Sequence, residues 1–530
     1  MTAPALLIGL VAAAGFATRL CYGFEWDELE LLHAAWRVAH GSLPYRDFFE
    51  HHPPLGFFLL APVVSDAQSL SMHLLIELRL AALAVLAATA WAFRALAGRL
   101  VPAAASLAPL GLVVAYPMAG KLFELRADWL ALAALLTALV ALVDAEQLAG
   151  RRRVVAWVGA GVLAGVAIAC TQKALLLWLP VLLWSVLPGG SPGRDRLQRT
   201  AVLLAATSLP VALLGALFWW QGALLALVEG VIAVNVGWPR ELDWRDTWIA
   251  GAPAIVGIVA IAVAALAELV VTQWRGDVVR PGERLVGWVA VAGGIAFLVT
   301  PVPWEQSALF LLVPWVVLLA FGAVQRACAG TAPGPILWVS AGAALLGCVA
   351  VLPRQVAARA LLVWGIVALL TIVIVRRSGP VDAQVRSVLV VLLLPGMVQF
   401  AGDRLGDAVH GRGGSQLRFV RSVERRLGPR ERILMLWDHV VPFRPAATFH
   451  WFAHEGVMRR FATSATEAAT LDRELVAALA QPDVRMIIAD PELVTAWLPR
   501  LAVQLRTRCE LAVPGYAGQD AYVCERPDAR

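Results

Sequence analysis

Apolar stretches long enough to cross a bilayer recur from the first residues to about position 401, and no other feature of this sequence constrains its fold as strongly. A helix needs about 20 predominantly apolar residues to span the hydrocarbon core. Inside that core each backbone N–H and C=O must be satisfied within its own segment, which leaves helices or closed barrels. Of the 530 residues 60% are hydrophobic and 15% charged, with a mean hydropathy of +0.72. A water-soluble domain of this length would not tolerate that composition on its surface. The length rule gives about thirteen helices, near 3–21, 78–97, 100–118, 129–147, 154–171, 173–188, 200–219, 248–271, 285–301, 307–323, 335–352, 358–375 and 385–401. The first lacks the basic start and small-residue cleavage site of a removable signal, and reads as a transmembrane helix.

Cytoplasmic loops hold the excess of Lys and Arg. Arg94 and Arg99, Arg151 to Arg153, the run Arg194, Arg196 and Arg199, then Arg275, Arg280 and Arg284, and lastly Arg376 and Arg377 mark the inner loops. Alternation puts the N-terminus in the cytoplasm, with the loop 22–77 and everything after about Gly402 outside. The expected setting is the cytoplasmic (inner) membrane of a cell whose Ala- and Arg-rich composition suggests a bacterium. The apolar run Pro53 to Val64 is too short to span, and inserting it would invert the later anchors, so it is expected as an interfacial helix on the outer face. The net charge of +6 reports this orientation and is not a footprint for nucleic acid.

Two parts follow: a transmembrane module over 1–401 carrying the outer loop 22–77, and a soluble extracytoplasmic domain over 402–530. The glycines at 411, 413 and 414 punctuate the boundary; they lack the strand and spacing of a nucleotide loop and read as a linker. Ser415 to Leu427 has helical periodicity, Arg432 to Trp437 and Val484 to Ala489 read as short buried strands, and Leu471 to Ala480 as a helix between them, which predicts a small α/β fold. Six cysteines, at 21, 170, 328, 348, 509 and 524, show no zinc spacing. Cys509 and Cys524 could pair across a hairpin outside the cell or remain separate thiols. No internal repeat is visible, and Gly161 with Gly165 reads as a helix-packing pair.

The polar residues of the membrane half gather at its expected outer face. Glu25, Asp27, Glu28 and Glu30 crowd the mouth of one helix, and carboxylates that close raise one another's pKa, so one of them can serve as a base or the group can hold a cation. Asp47, His51 and His52 follow on the same loop; the imidazoles could donate to a phosphate or bind a metal. Lys121, Glu124, Arg126 and Asp128 form a second cluster, and Lys173 sits at another outer turn. Each has a plainer reading: a solvated acid, an ion pair closing a helix end, a snorkelling lysine.

Taken in order, Trp26 Asp27 Glu28, Gly41, Pro44 Tyr45, Asp47 and His52 Pro53 Pro54 Leu55, with Arg126 and Asp128 two spans later, resemble the GT-C superfamily. The branches most similar are the protein O-mannosyltransferases and the aminoarabinose and related lipid-linked sugar transferases, of the glycosyltransferase 39 and 83 type. Gly165 to Lys173 followed by Pro180 also resembles a recurrent family stretch. The resemblance covers about residues 20–185, and the later spans by architecture alone. It implies an all-α, GT-C-like polytopic fold and an integral membrane glycosyltransferase. Asp27 would be general base, Glu28 its support and Asp128 the second-loop acid, with His52 at the basic position before Pro Pro, where some relatives have Lys. Near Pro303, Glu305, Gln306 and Pro314 stand where the family often has a basic residue and Tyr, so no donor contact is assigned there.

On chemical grounds His51, His52, Arg126 and Lys173 are candidate substrate contacts, since a sugar on a polyprenyl phosphate would present its phosphate to Arg, Lys or His at the membrane surface; Asp47 joins them as a candidate through the resemblance. The expected acceptor is a lipid, a glycan or a protein of the cell envelope, and transfer would invert the anomeric centre. No cofactor is required by the sequence; the carboxylates could hold a divalent cation, and no metal ligand is assigned. A transporter or flippase of a lipid-linked substrate would place ionisable residues in mid-span and break its helices. The charges here gather at helix ends instead. A non-catalytic envelope scaffold is the remaining alternative.

Overall fold

The computed structural model describes residues 3–114, 119–186, 193–238, 240, 244–274, 281–301, 305–329, 352–375, 380–428, 431–436, 441–451, 458, 461, 464–516 and 519–525. The chain is an all-α polytopic membrane protein with a small C-terminal sheet. Among the described residues eight helices are long and apolar enough to cross a membrane, or nine if the bent pair Leu6–Tyr22 and Trp26–Ala39 counts as one span. Most of the expected spans have a helical counterpart of full length. Three are shorter or broken: 100–118 yields a 3-10 turn and the short helix Ala108–Val114, 173–188 yields Lys173–Val186, and 307–323 divides into Glu305–Leu311 and Val313–Cys328. The span expected at 335–352 lies outside the described residues apart from Leu352.

The chain divides into two compact units. One comprises Met1–Arg19, Ala81–Ala212 and Leu242–Val409. In it Ala127–Ala145 and Gly150–Cys170 form a helical hairpin. Gly161 and Gly165 lie against the helix Gly193–Trp220: a Cβ at Gly161 would sit 2.5 Å from Ala206, and one at Gly165 2.4 Å from the Thr207 carbonyl. These small residues let two backbones approach as close-packed membrane helices do.

The other unit comprises Leu20–Leu80, Leu213–Glu241 and His410–Arg530, so the loop 22–77 and the C-terminal segment belong to one body. The run Pro53 to Val64 forms the helix Leu55–Val64, whose 10 residues cannot span a bilayer. It buries Phe57, Leu60 and Val64 and exposes Leu59 and Val63. The C-terminal part is α/β. Its four-stranded sheet has the order β1-β2-β4-β3, with β1 at Arg432–Met435, β2 at Val484–Ala489, β3 at Cys509–Tyr516 and β4 at Gln519–Cys524. β1 and β2 are parallel, as the crossover helix Ala465–Leu479 between them requires. β3 and β4 form an antiparallel hairpin in which Cys509 pairs with Cys524, and the two are disulfide-bonded. Leu434, Leu475, Ile487 and Leu501 make the core under the sheet.

The amphipathic helix Gly413–Glu424 ends on a titratable residue. Burial pushes the Glu424 carboxyl up to about 7, against Arg444, a hydrogen bond from Ser69 and Arg421. The folded state therefore holds this proton more tightly than an unfolded chain with the ordinary value of 4.5. The resulting stabilisation is full below about 4.5 and is lost as pH rises through about 7. Glu424→Gln is expected to flatten the fall of the melting temperature across that window and to raise it at pH 8, as read by scanning fluorimetry in detergent.

Candidate active site

The helix Trp26–Ala39 starts where its cap dictates. Glu25 is the N-cap, accepting from Trp26 N at 2.7 Å, and Glu28 reaches back to Glu25 N at 3.0 Å, completing a capping box. With the start fixed, residues three apart share a face. Asp27 and Glu30 point one way; Glu28, one residue on from Asp27, turns to the interior. There Glu28 and Arg79, each 1% exposed, form a bidentate ion pair, with Arg79 Nη2 donating to Glu28 Oε2 at 2.8 Å and to the Gly23 carbonyl at 2.6 Å. Asp27 stays partly exposed in the first helical turn, where the helix dipole favours its negative charge.

The following loop is tied down residue by residue. Asp47 accepts from Leu43 N at 2.7 Å and pairs with Arg46 at 2.8 Å, while Arg37 donates to the Asp47 carbonyl at 3.0 Å. Asp47 is thus engaged in holding its own turn, and Arg46 beside it keeps its carboxyl below the usual range. Tyr45 has φ +66°, the one non-glycine residue with positive φ among those described, and its hydroxyl donates to the His52 carbonyl. A bulky residue held in that region stores strain that neighbouring contacts must hold. Trp451 Nε1 donates to the Phe49 carbonyl at 2.7 Å, and Phe49 N to the Phe449 carbonyl at 2.9 Å. Phe48 and Trp451, at 0% and 1% exposure, contribute about 1.5–3 kcal/mol each by burial. His33 Nδ1 meets the Pro442 carbonyl at 2.7 Å, and burial, with Arg37 nearby, pushes its pKa down to about 3, so the ring is neutral and donates.

This scaffolding gathers Glu30, Glu50, His51 and His52 so that one ligand-type atom from each lies within 4.8 Å of all the others. Glu50, fully buried, accepts at Oε1 from His51 N at 2.8 Å, His52 N at 3.1 Å and His52 Nδ1 at 3.0 Å. Burial, then the charge of Glu50, raises the Glu30 carboxyl to about 8, with Asp27 adding to the effect. Burial opposes a charge on His52, yet hydrogen bonds to Glu30 and Glu50 hold its pKa well above the ordinary value. Beside the cluster lies a cavity of about 210 Å³ lined by Tyr45, Phe49, Glu50, Trp238, Phe449 and His450. His450 is oriented by Glu474, 2.8 Å from its Nδ1.

A distant segment completes the site. Residues Glu229–Val234 form a π-helical turn, after which Asn235 Nδ2 donates to the His51 carbonyl at 2.6 Å and Trp238 stacks on the His51 ring at 4.9 Å. Gly230 makes room: a Cβ there would lie 2.4 Å from Tyr45 Cδ1 and 2.9 Å from the Glu50 carbonyl. Gly230→Ala is therefore expected to cost about 1–3 kcal/mol by overpacking, seen as a lower melting temperature, and Gly230→Val more.

The second-loop residues lie in the other compact unit. Arg126 and Asp128 each have a charged partner close by. Arg126 Nε donates to Glu124 at 2.8 Å, and Arg19 reaches the same carboxylate at 3.2 Å. Burial opposes the charge on Glu124, but Lys121, Arg126 and Arg19 hold its pKa below the ordinary value. Asp128 meets Lys173 Nζ at 3.3 Å. Sequence reasoning singled out most of these residues but not the partners Arg79, Gly230, Asn235 and Trp238, nor Glu30 and Glu50 as companions of the histidines.

The arrangement defines a class: a polytopic membrane protein carrying an acid-and-imidazole site on the loop after its first helix. No protein-family profile matches the chain, and no curated protein matches it in sequence. Solved structures do. The chain is similar to ArnT from Cupriavidus metallidurans bound to undecaprenyl phosphate, with TM-score 0.61 and 15% identity over 98% of this chain and 97% of that one. It is also similar to the apo oligosaccharyltransferase of Archaeoglobus fulgidus, with TM-score 0.54 and 12% identity over 99% and 75%. A third structure, AglB of the same organism with an inhibitory peptide and a dolichol-phosphate, gives TM-score 0.51 at 12% identity over the same shares. These proteins are of the GT-C superfamily, and the chain has the GT-C fold.

Proposed function

We propose that this chain is an integral membrane glycosyltransferase. It takes a sugar from a polyprenyl-phosphate donor and passes it to a lipid, glycan or protein acceptor of the cell envelope, on the outer face of the cytoplasmic membrane. The N-terminus lies in the cytoplasm, and a catalytic module over 1–401 works with an extracytoplasmic domain over 402–530. The observation that carries the reading is the carboxylate-and-imidazole cluster built on the loop 22–77 of a GT-C fold, with Asp27 partly exposed and its charge felt by Glu30. ArnT binds undecaprenyl phosphate and AglB a dolichol-phosphate, which supports a lipid-phosphate donor here.

In the proposed reaction Asp27 takes the proton of the acceptor hydroxyl as its oxygen forms a bond to the anomeric carbon from the face opposite the phosphate. The bond from that carbon to the phosphate oxygen breaks, and polyprenyl phosphate leaves with the electron pair. The anomeric centre is inverted. His51, His52, Arg126 and Lys173 are the groups proposed to meet the phosphate charge, and Asp128 the acid of the second loop. Glu28 and Asp47 hold the frame, through Arg79 and through the turn at Leu43 to Asp47. The acceptor is assigned to the aromatic cavity beside Glu50.

The test is transfer of label from a panel of radiolabelled polyprenyl-phosphate sugars by the purified full-length chain in nanodiscs, with envelope extract as acceptor and the product anomer read by NMR. Inverted product from one donor is the expected result. No transfer from any donor, combined with movement of labelled donor across proteoliposomes, would replace the transferase by a flippase.

A further inference from the structure

We infer that Glu30, Glu50, His51 and His52 are the ligands of a zinc ion. In a tetrahedral site with metal–ligand distances of about 2.0–2.1 Å, neighbouring ligand atoms stand about 3.3–3.4 Å apart. The four imidazole–carboxylate separations straddle that value: His52 Nδ1 lies 3.0 Å from Glu50 Oε1 and 3.5 Å from Glu30 Oε1, and His51 Nδ1 lies 3.6 Å and 3.8 Å from the same two atoms. Adjacent histidines rarely reach one ion, because an extended backbone sends successive side chains to opposite sides. Here both backbone N–H groups fold onto Glu50 Oε1, and the two rings come to 4.0 Å between centroids.

Independent of spacing, Glu50 is 0% exposed and its Oε2 has no hydrogen-bond partner, although a buried carboxylate oxygen is costly to leave so. One divalent cation would neutralise the ionised form of both carboxylates, the form in which they ligate. Two imidazoles with two carboxylates suit zinc better than magnesium or calcium, which take oxygen alone. The stacked Trp238 and the Asn235 bond to the His51 carbonyl supply the outer support that orients a ligating imidazole. The His52 side of the cluster is open, with that side chain 43% exposed. Resting on the transferase reading, the ion would there polarise the phosphate oxygen of the donor as the sugar leaves.

The measurement is zinc itself, on the full chain in detergent: metal content after dialysis, affinity by competition with a chromogenic chelator, and X-ray absorption at the zinc edge. One zinc per chain is expected, with a nitrogen-and-oxygen shell at about 2.0–2.1 Å. His52→Ala, which alters the half-exposed ligand, should weaken binding by more than the roughly 10–100-fold that loss of an outer-shell partner costs. Glu50→Gln should do the same, and Asp27→Asn should keep full stoichiometry. Sulfur in the shell, zinc held equally by wild type and His52→Ala, or no zinc above background would overturn the site. Zinc bound as described without transfer from any donor would sustain the site and sink the transferase reading alone.

Discussion

An Asp27→Asn chain is expected to lose about 10²–10⁴-fold in kcat for sugar transfer, the usual contribution of a positioned general base, while folding as the wild type does. An amide cannot accept the acceptor's proton, but it keeps the size of the carboxylate. Asp27 is partly exposed in the first turn of Trp26–Ala39, where loss of the charge forfeits about 0.3–1 kcal/mol of interaction with the helix dipole. The melting temperature should therefore move little. KM for the donor should also stay near its wild-type value, because Asp27 is not among the groups proposed to meet the phosphate. Steady-state transfer measured beside a melting curve separates the two effects. Equal transfer in the variant would remove Asp27 from the reaction and make Asp128 or Glu30 the next carboxylate to test.

The neighbouring residue should behave in the opposite way. Glu28→Ala is expected to cost about 3–5 kcal/mol of stability, the penalty for leaving one member of a buried ion pair alone. Arg79 at 1% exposure would keep its charge and its bond to the Gly23 carbonyl but lose the Glu28 carboxylate. The Glu25 N–H would lose its partner as well, and the helix start would loosen. A Glu28→Met, Arg79→Leu double variant should recover much of the loss, since apolar residues of similar volume often replace such a pair at little cost. Thermal unfolding of the four species gives the cycle. If Glu28→Ala melted like the wild type but lost transfer, Glu28 would be a catalytic group and the framing role drawn from its contacts would fall.

That contrast shows what the sequence could reveal. Asp27 and Glu28 are adjacent acids in one motif, and no composition or hydropathy argument separates them. Their roles diverge through the phase of the helix, which is set by the Glu25 cap and cannot be read until the start at Trp26 is known. The membrane helices were legible because burial in hydrocarbon demands length and apolarity, properties local to each segment. The strands at Arg432 and Val484 were legible for a similar reason, as apolar runs either side of a helical period, while their parallel pairing came from the structure. Breaks such as Glu305–Leu311 against Val313–Cys328 were not, because the apolar run continues without interruption through Leu312. Nor was the gathering of Glu30 with Glu50 and both histidines, which depends on the Asp47 turn and on Asn235 and Trp238, 184 or more residues beyond His51. Gly230 carried a weak signal, a glycine inside an apolar helical run, whose meaning appears only when Tyr45 and Glu50 are set against it.

The π-helical turn at Glu229–Val234 also bears on how such a site arises. A turn of this kind carries one residue more than the α-helical turn it replaces. Each residue advances a helix by about 100°. Deleting a single codon within the turn would therefore restore regular winding and swing Asn235 and Trp238 off the His51 backbone and ring while leaving every codon of the loop 22–77 unaltered. The alignment of the two segments is thus a property of reading-frame length, and one step can undo it without any substitution among Glu30, Glu50, His51 and His52.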